Sequence, residues 1–544
     1  MGSPMTAAVL EVEGLTVRLP RGADRLNAVE NVSFSVAPGE IVCVVGESGS
    51  GKSVTAHAIM GLLPANQLSV SGGRALLEGD NLLTKSPVEM RRIRGRRIAM
   101  IFQEPMTALN PVMKVGDQIA EVLDIHSELN EGERRARVLD VMESVRLPEP
   151  RRMIDVYPHQ LSGGQRQRIM IAAALVLDPV LLIADEPTTA LDVTTQAQIL
   201  KLIKELRERR NTGVLFITHD FGVVAEVAHR VVVMQHGRVV EQGRTEDVLR
   251  RPRDDYTRML IRSVPSLAPP ARASVAGAIV LQTEGLSKTY VSGGFFEKRR
   301  VVEAAKDVNL QVRRGETLGV VGESGSGKST VARCIARLIV PSEGAILIEG
   351  ADVAKLSPGA LRPHRKRVQI VFQDPYRSLN PRRSVGAAIV EGPINFGTAP
   401  NIAHERAREL MRLVGLDPDA LERYPHQFSG GQRQRICIAR ALAMDPEILV
   451  ADEPVSALDV SVQAQVLELI DDVRKRFNLA VLFITHDLRV AAQVCDRIAV
   501  MHRGEVVEEG VTADVFAAPK HDYTRALFDS APGKNFEFGK FDPE

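Results

Sequence analysis

One ordered set of motifs occurs twice in this chain, and that doubling restricts the fold more than any other feature. GESGSGKS spans Gly46 to Ser53 and returns at Gly322 to Ser329. YPHQLSGGQRQR at Tyr157 to Arg168 returns as YPHQFSGGQRQR at Tyr424 to Arg435, ADEP at Ala184 to Pro187 returns at Ala451 to Pro454, and FITHD at Phe216 to Asp220 returns at Phe483 to Asp487. From YPHQ onward the copies keep one offset of 267 (424 − 157, 451 − 184, 483 − 216), whereas the first motif is offset by 276 (322 − 46). The first copy therefore holds nine extra residues (276 − 267) between its phosphate loop and its YPHQ segment, which reads as loop insertion. A chain of 544 residues suggests about three or four domains by length, but the repeat sets two of roughly 250 residues, each able to bury a full core. Their bounds are read as residues 8–265 and 279–531, with 266–278 as linker and 532–544 as tail.

Composition excludes several classes. Hydrophobic content of 44% and charged content of 25% are those of an ordinary globular protein. With 69 Lys+Arg against 68 Asp+Glu, there is no global field for nucleic acid. No run of 18 apolar residues is present, so a bilayer span is not expected, and the first residues lack a basic region followed by an apolar stretch. MGSP before a second Met resembles a cloning scar. Cys43, Cys334, Cys437 and Cys495 are far apart and form no CxxC, which points to buried reduced thiols.

Each copy opens with alternating segments that read as strands, LEVEGLTVRL and VENVSFSV, then VLQTEGLSKTY and VEAAKDVNLQV. A buried strand (IVCVV, TLGVV), a Gly-rich loop and a helix-like stretch follow, in the order a phosphate site needs. Residues of about 104–175 and 374–442 are rich in helix formers and are expected to make a helical subdomain. VLLIAD and GVLFIT, separated by a helical segment, complete a mainly parallel sheet. SLAPPARASVAGA, Ser266 to Ala278, reads as a flexible linker, and the tail after Pro532 as loosely held.

The chemistry is carried by residue type and spacing. In GxxxxGKS, successive backbone N–H groups of Gly46, Glu47, Ser48, Gly49, Ser50 and Gly51 wrap a β-phosphate at a helix N-terminus. Gly322, Glu323, Ser324, Gly325, Ser326 and Gly327 repeat the loop. Lys52 and Lys328 then neutralise β/γ oxygens, and Ser53 and Ser329 bind Mg²⁺. One chance match is expected in about one chain of this length in fifty, so two in the same context are not accidental. Each apolar strand ending in Asp then Glu places Asp185 or Asp452 toward the metal and Glu186 or Glu453 toward an attacking water, the two tasks phosphoryl transfer requires. His219 and His486 end neighbouring strands and are read as γ-phosphate contacts. In SGGQ, the glycines let a phosphate approach closely and the serine offers a hydroxyl: Ser162, Gly163, Gly164 and Gln165 in one copy, Ser429, Gly430, Gly431 and Gln432 in the other.

This ordered set resembles the ABC-transporter ATPase family over about residues 8–531. The resemblance implies an α/β fold of two tandem P-loop NTPase domains, each a mainly parallel sheet with an antiparallel β subdomain and a helical signature subdomain. LSGGQ and FSGGQ look like the signature, and Gln103 and Gln373 like the Q-loop, which places them beside the metal. Asp192 and Asp459 look like the D-loop, and His219 and His486 like the switch histidine. ATP and Mg²⁺ are the implied cofactors, and ATP hydrolysis the implied activity. In the family two such domains pair head to tail, so each ATP lies between one phosphate loop and the other signature, and one chain here supplies both halves.

FQEPMTALNP (Phe102 to Pro111), FQDPYRSLNP (Phe372 to Pro381), DDYTRML (Asp254 to Leu260) and HDYTRAL (His521 to Leu527) are similar to the oligopeptide, dipeptide and nickel importer group, in particular its fused two-ATPase members. The resemblance implies a subunit that energises uptake of peptides or peptide-like solutes at the cytoplasmic face of the bacterial inner membrane. It further implies two permease subunits contacted near the Q-loops and, through them, an external solute-binding protein, with no nucleic acid. Two departures stand out: neither copy carries the cysteine-rich extension of many members, and Tyr290 matches the family's adenine-stacking aromatic while Leu19 stands opposite it. The alternative, a two-cassette translation factor acting on the ribosome, requires a long charged linker and a basic surface, which this sequence lacks.

Overall fold

The computed structural model describes residues 8–103, 108–189, 191–272, 275–292, 300–456 and 458–542. Four residues of FQEPMTALNP (104–107), the initial MGSP, two linker residues (273–274) and the last two residues of the tail lie outside the described residues. Contacts divide the chain into two compact units, one reaching Val264 and including the chain from Pro532 onward, the other Pro265–Ala531.

In the first unit, the apolar runs IVCVV, LLIAD and GVLFI are buried on both faces and pair in parallel, as continuous apolar strands must. The six-stranded sheet runs Arg238–Arg244, Arg230–Gln235, Ile41–Val45, Gly213–Ile217, Leu181–Asp185, Ile98–Ile101, and only the Arg238–Arg244 edge is antiparallel. An antiparallel sheet of Asn27–Val36, Leu10–Arg18, Ser69–Leu77 and Asp80–Asn81 lies in the same unit. Helices Val115–His126, Glu131–Ser144 and Gly163–Leu175 supply the helical subdomain.

The second unit repeats the plan. Its six-stranded sheet runs Val368–Val371, Ile448–Asp452, Ala480–Thr485, Thr317–Val321, Arg497–His502, Glu505–Val511, and the last edge is again antiparallel. Helices Val385–Asn395, Pro400–Leu413 and Gly430–Leu442 correspond to the helical subdomain.

The nine extra residues are not one loop. Leu10 faces Leu77 and Leu281 faces Ile348, an offset of 271 (348 − 77), so five of the nine (276 − 271) fall between the phosphate loop and Leu77. Part of them lengthens a strand, Ser69–Leu77 having nine residues and Glu343–Ile348 six.

The segments expected to be flexible are held by specific contacts. On the second unit, Pro265 O accepts from Arg489 Nη1 at 3.3 Å, and Gln493 Nε2 donates to Ser266 O at 3.0 Å and Ala268 O at 3.2 Å. Arg272 pairs with Asp496 at 3.2 Å and Asp471 at 3.8 Å. Two charge pairs and three backbone acceptors override the Pro/Ala composition. On the first unit, Phe536, Phe538 and Phe541 pack against the apolar core. Arg250 and Arg262 lie over the Phe536 and Phe541 rings at 5.4 and 5.2 Å, and Asp542 N–H donates to Arg250 O at 3.0 Å.

All four cysteines are free and buried. Burial pushes their thiols up, Cys334 and Cys437 to about 11. No helix among the described residues is long and apolar enough to cross a membrane.

Candidate nucleotide sites

Each phosphate loop connects the C-terminal end of a central parallel strand to a helix, where ligands bind in open α/β sheets. Gly46 has φ 146°, and a Cβ there would lie 2.1 Å from Met234 O; at Gly322, φ is 148° and the clash with Met501 O is 2.2 Å. Only glycine lets the loop leave the strand this closely against the neighbouring backbone. Lys52 Nζ donates to Gly46 O at 2.7 Å, Glu47 O at 2.9 Å and Ser50 Oγ at 3.3 Å, so the ammonium sits buried in the concavity of its own loop. Lys328 Nζ does the same with Gly322 O at 2.7 Å, Glu323 O at 2.7 Å and Ser326 Oγ at 3.5 Å.

Ser53 Oγ donates to Asp185 Oδ1 at 3.0 Å, and Ser329 Oγ to Asp452 Oδ1 at 2.8 Å. A hydroxyl and a carboxylate brought together beside a lysine form the hard-oxygen set that fits Mg²⁺, which takes one or two protein oxygens and completes its shell with water and phosphate. An Mg²⁺ held by Ser53 and Asp185, or by Ser329 and Asp452, would neutralise phosphate charge.

The adjacent glutamates turn away from the aspartates for a backbone reason. Glu186 N–H still donates to Ile217 O at 2.9 Å, continuing the sheet ladder, but its φ is 46°; Glu453 N–H donates to Ile484 O at 3.0 Å at φ 49°. A left-handed non-glycine residue costs about 1 kcal/mol and persists only where its surroundings impose it. The turn delivers Glu186 Oε2 to Gln103 Nε2 at 2.9 Å and Glu186 Oε1 to within 3.2 Å of His219 Nδ1. In the second unit, Glu453 Oε2 accepts from Gln373 Nε2 at 3.0 Å and lies 3.0 Å from His486 Nδ1. Strand-end glutamate, histidine and Q-loop glutamine, spread over as many as 116 residues (219 − 103), thus converge twice.

Electrostatics separates the two carboxylates of each pair. Burial pushes Asp185 and Asp452 up. Burial also acts to raise Glu186 and Glu453, but the hydrogen bond and charge of His219 or His486 outweigh it and hold both below the usual range, Glu186 at about 2. His486 in turn is raised, its burial being outweighed by the Glu453 carboxylate. Neighbouring carboxyls with opposed shifts are a pattern of functional sites.

The signature serines begin helices. Ser162 caps Gly163–Leu175 and accepts from Gln165 N–H, and Ser429 caps Gly430–Leu442 in the same way. The two glycines have different reasons. A Cβ at Gly163 would meet nothing within 4 Å, whereas one at Gly164 would lie 2.6 Å from Thr195 Cγ2, and one at Gly431 2.2 Å from Val462 Cγ1. The second glycine therefore serves helix packing, and the first leaves the open approach. Asp192 caps the following helix, Val193–Arg210, accepting from Thr195 N–H at 2.9 Å, and Asp459 begins Val460–Phe477.

Tyr290 lies on the strand Ile279–Ser292, 41% exposed, with Lys288 Nζ 5.3 Å from its ring centre. Leu19 directly follows Leu10–Arg18 and occupies the same position at the strand offset of 271. Sequence reasoning misses Thr189, whose hydroxyl donates to Glu186 Oε2 at 2.9 Å, and Arg25, whose Nη2 donates to Gly49 O at 2.6 Å. Thr189 stands three residues after its partner, so the capping-like spacing is the available signal; Arg25 in a hairpin gives none.

Two P-loop ATPase sites, each with a metal-type Ser–Asp pair and a Glu–His–Gln cluster, define a tandem nucleotide-hydrolysing cassette protein. The ABC transporter family model matches residues 29–189 and 305–456, and the oligopeptide/dipeptide transporter C-terminal region matches 240–304 and 507–540. The chain is 46% identical to the glutathione import ATP-binding protein GsiA of Salmonella choleraesuis, over 96% of this chain and 89% of that protein. It is also 46% identical to the peptidoglycan transport ATP-binding protein YejF of Agrobacterium fabrum, over 97% of each chain. Among solved structures, the dimeric post-hydrolysis cassette MJ0796 bound to ADP and Pi matches 43% of this chain and 98% of its own, at 29% identity and a TM-score of 0.40. The chain belongs to the ABC transporter ATPase family. It is an ATP-binding subunit of an ABC importer and an ATPase that works with ATP and Mg²⁺.

Proposed function

We propose that this ATPase drives import of peptides or peptide-like solutes across the bacterial inner membrane, bound peripherally to the cytoplasmic face of two permease subunits that receive solute from an external binding protein. Family membership gives the permease and binding protein as partners; the solute class is supported by the match of both closing regions to the oligopeptide/dipeptide transporter model and by relatives named for glutathione and peptidoglycan transport. The observation that carries the catalytic assignment is the twofold convergence of Glu, His and Gln at 2.9 to 3.2 Å.

In this reading Lys52 and Lys328 release their loop carbonyls and neutralise phosphate, while Ser53 with Asp185, and Ser329 with Asp452, hold Mg²⁺ with the Q-loop glutamines. Glu186 and Glu453, kept ionised, orient water and accept its proton, and His219 and His486 hold those carboxylates and contact the γ-phosphate. The signature segments Ser162–Gln165 and Ser429–Gln432 contribute to closing the nucleotide sites. Permease helices dock near Gln103 and Gln373. The test is reconstitution with its permease subunits: peptide-loaded binding protein stimulates ATPase, and its failure to do so while an unrelated solute succeeds would replace the solute class. No observation favours the ribosomal alternative.

A further inference from the structure

The DYTR segments place a tyrosine against each phosphate loop. Tyr256 on the helix Asp255–Arg262 is buried, and its hydroxyl accepts from Glu47 N–H at 3.0 Å and donates to Glu47 Oε2 at 3.4 Å. Tyr523 on the helix Asp522–Asp529 accepts from Glu323 N–H at 3.1 Å, its ring stacked on His502 at 4.0 Å between centres. The partners are separated by 209 and 200 residues, so neither contact is local, and both tyrosines keep the repeat offset of 267 (523 − 256).

We propose that Tyr256 and Tyr523 are positioning residues that hold the phosphate loops in their nucleotide-receiving form. The second residue of each loop is pinned on both sides: its N–H by the tyrosine and its carbonyl by the loop lysine, Lys52 on Glu47 O at 2.9 Å and Lys328 on Glu323 O at 2.7 Å. The lysine brace ends when the ammonium turns to phosphate. The tyrosine brace does not involve the lysine and remains. Its place fits this work, because Glu47 and Glu323 follow the glycines with φ of 146° and 148°, where the loop leaves the sheet. A loop fixed before binding does not lose ordering free energy to the ligand, so the hydroxyl acts on ATP affinity although it does not touch ATP. The closing helices thereby join the nucleotide sites to the closing regions matched by the oligopeptide/dipeptide transporter model.

The inference rests on the ATP-site reading, and the full-length chain separates the two. In a Lys328→Ala background, MgATP titration reads the Lys52 site; absence of binding there would remove the ATP-site reading itself. Tyr256→Phe keeps the ring and removes the hydroxyl. It is expected to weaken MgATP binding about three- to tenfold, the ordering of the loop passing to the ligand, with the melting temperature lowered by no more than the loss of one hydrogen bond produces. Tyr523→Phe in the same background serves the silenced site and is expected to leave the affinity unchanged. Equal affinity for Tyr256→Phe and its parent overturns the proposal, as does an equal loss in both tyrosine variants with a lowered melting temperature, which marks a general packing role.

Discussion

In the first cassette Thr189 donates its hydroxyl proton to the Glu186 carboxylate at 2.9 Å. In the second, Ser456, at the same repeat position, donates to the Glu453 backbone carbonyl at 3.2 Å and accepts from Gln373 at 3.3 Å. The Lys, Ser–Asp and Glu–His contacts are otherwise the same within a few tenths of an ångström. A second difference separates Leu19 from Tyr290, and a third His229 from Asp496. His229 Nδ1 accepts from Ile41 N–H at 3.1 Å, where Asp496 accepts from Thr317 N–H at 2.8 Å and also pairs with Arg272. The groups that would touch phosphate and metal repeat, and the groups that support them diverge. Two equally complete sites with unequal support is the expectation this comparison creates.

The largest effect concerns what the halves share. Glu186→Gln and Glu453→Gln should each lower turnover in the permease complex, and the double variant should lose about 10²-fold or more, the scale of a general base. Near-normal turnover in the double variant would remove both glutamates from the water site.

Thr189→Ala and Ser456→Ala sharpen the first difference. Each is measured with the other site's glutamate replaced by Gln, so that one site turns over. Loss of a hydrogen bond to an ionised group corresponds to about 1.5 kcal/mol, so Thr189→Ala should lower turnover about tenfold. Ser456→Ala, whose hydroxyl donates to a backbone carbonyl, should change it by about threefold or less. Equal effects would mean that the two carboxylates are supported alike.

Nucleotide affinity should differ by less. Placed on adenine as the family resemblance implies, the Tyr290 ring would contribute on the order of 1 kcal/mol beyond burial, about fivefold in affinity, which Leu19 would not match. The Lys328 site should therefore bind ATP more tightly than the Lys52 site, and Leu19→Tyr or Tyr290→Leu should narrow the gap. Tighter binding at the Lys52 site would contradict this and point to Arg25 as a contributor there.

The smallest effect is a pH dependence in the first unit. Burial, then the Arg207 guanidinium, lowers the His229 imidazole below its ordinary 6.5, with Glu40 opposing. A depressed folded value means stability that is present above pH 6.5 and lost as pH falls through the folded value. His229→Asn keeps an acceptor for Ile41 N–H and should remove this acid sensitivity in thermal unfolding. An unchanged slope would assign it elsewhere.

Much of the site is legible in the sequence, because repeated motifs turn spacing into geometry. The Gly-rich loops, the Asp-Glu strand ends and the histidines that follow the neighbouring strands all stand where a parallel sheet puts them. The glycine pair of the signature is only half readable: Gly164 is required by Thr195 on another helix, a contact that no local pattern encodes. Tyr256 is visible only as part of a family-like DYTR segment, since its partner lies 209 residues away. The segment from Pro265 reads as free because composition reports backbone preference and not the partners Arg489, Gln493 and Asp496. The tail carries a readable signal in Phe536, Phe538 and Phe541, three aromatics that need a surface to cover.

Two ATP sites in one chain fix the nucleotide stoichiometry. The Glu186→Gln/Glu453→Gln chain in its permease complex should trap two ATP molecules per chain with Mg²⁺, and adding Lys52→Ala or Lys328→Ala should each remove one. A single ATP per chain, or a count that one of the two lysines does not affect, would contradict it.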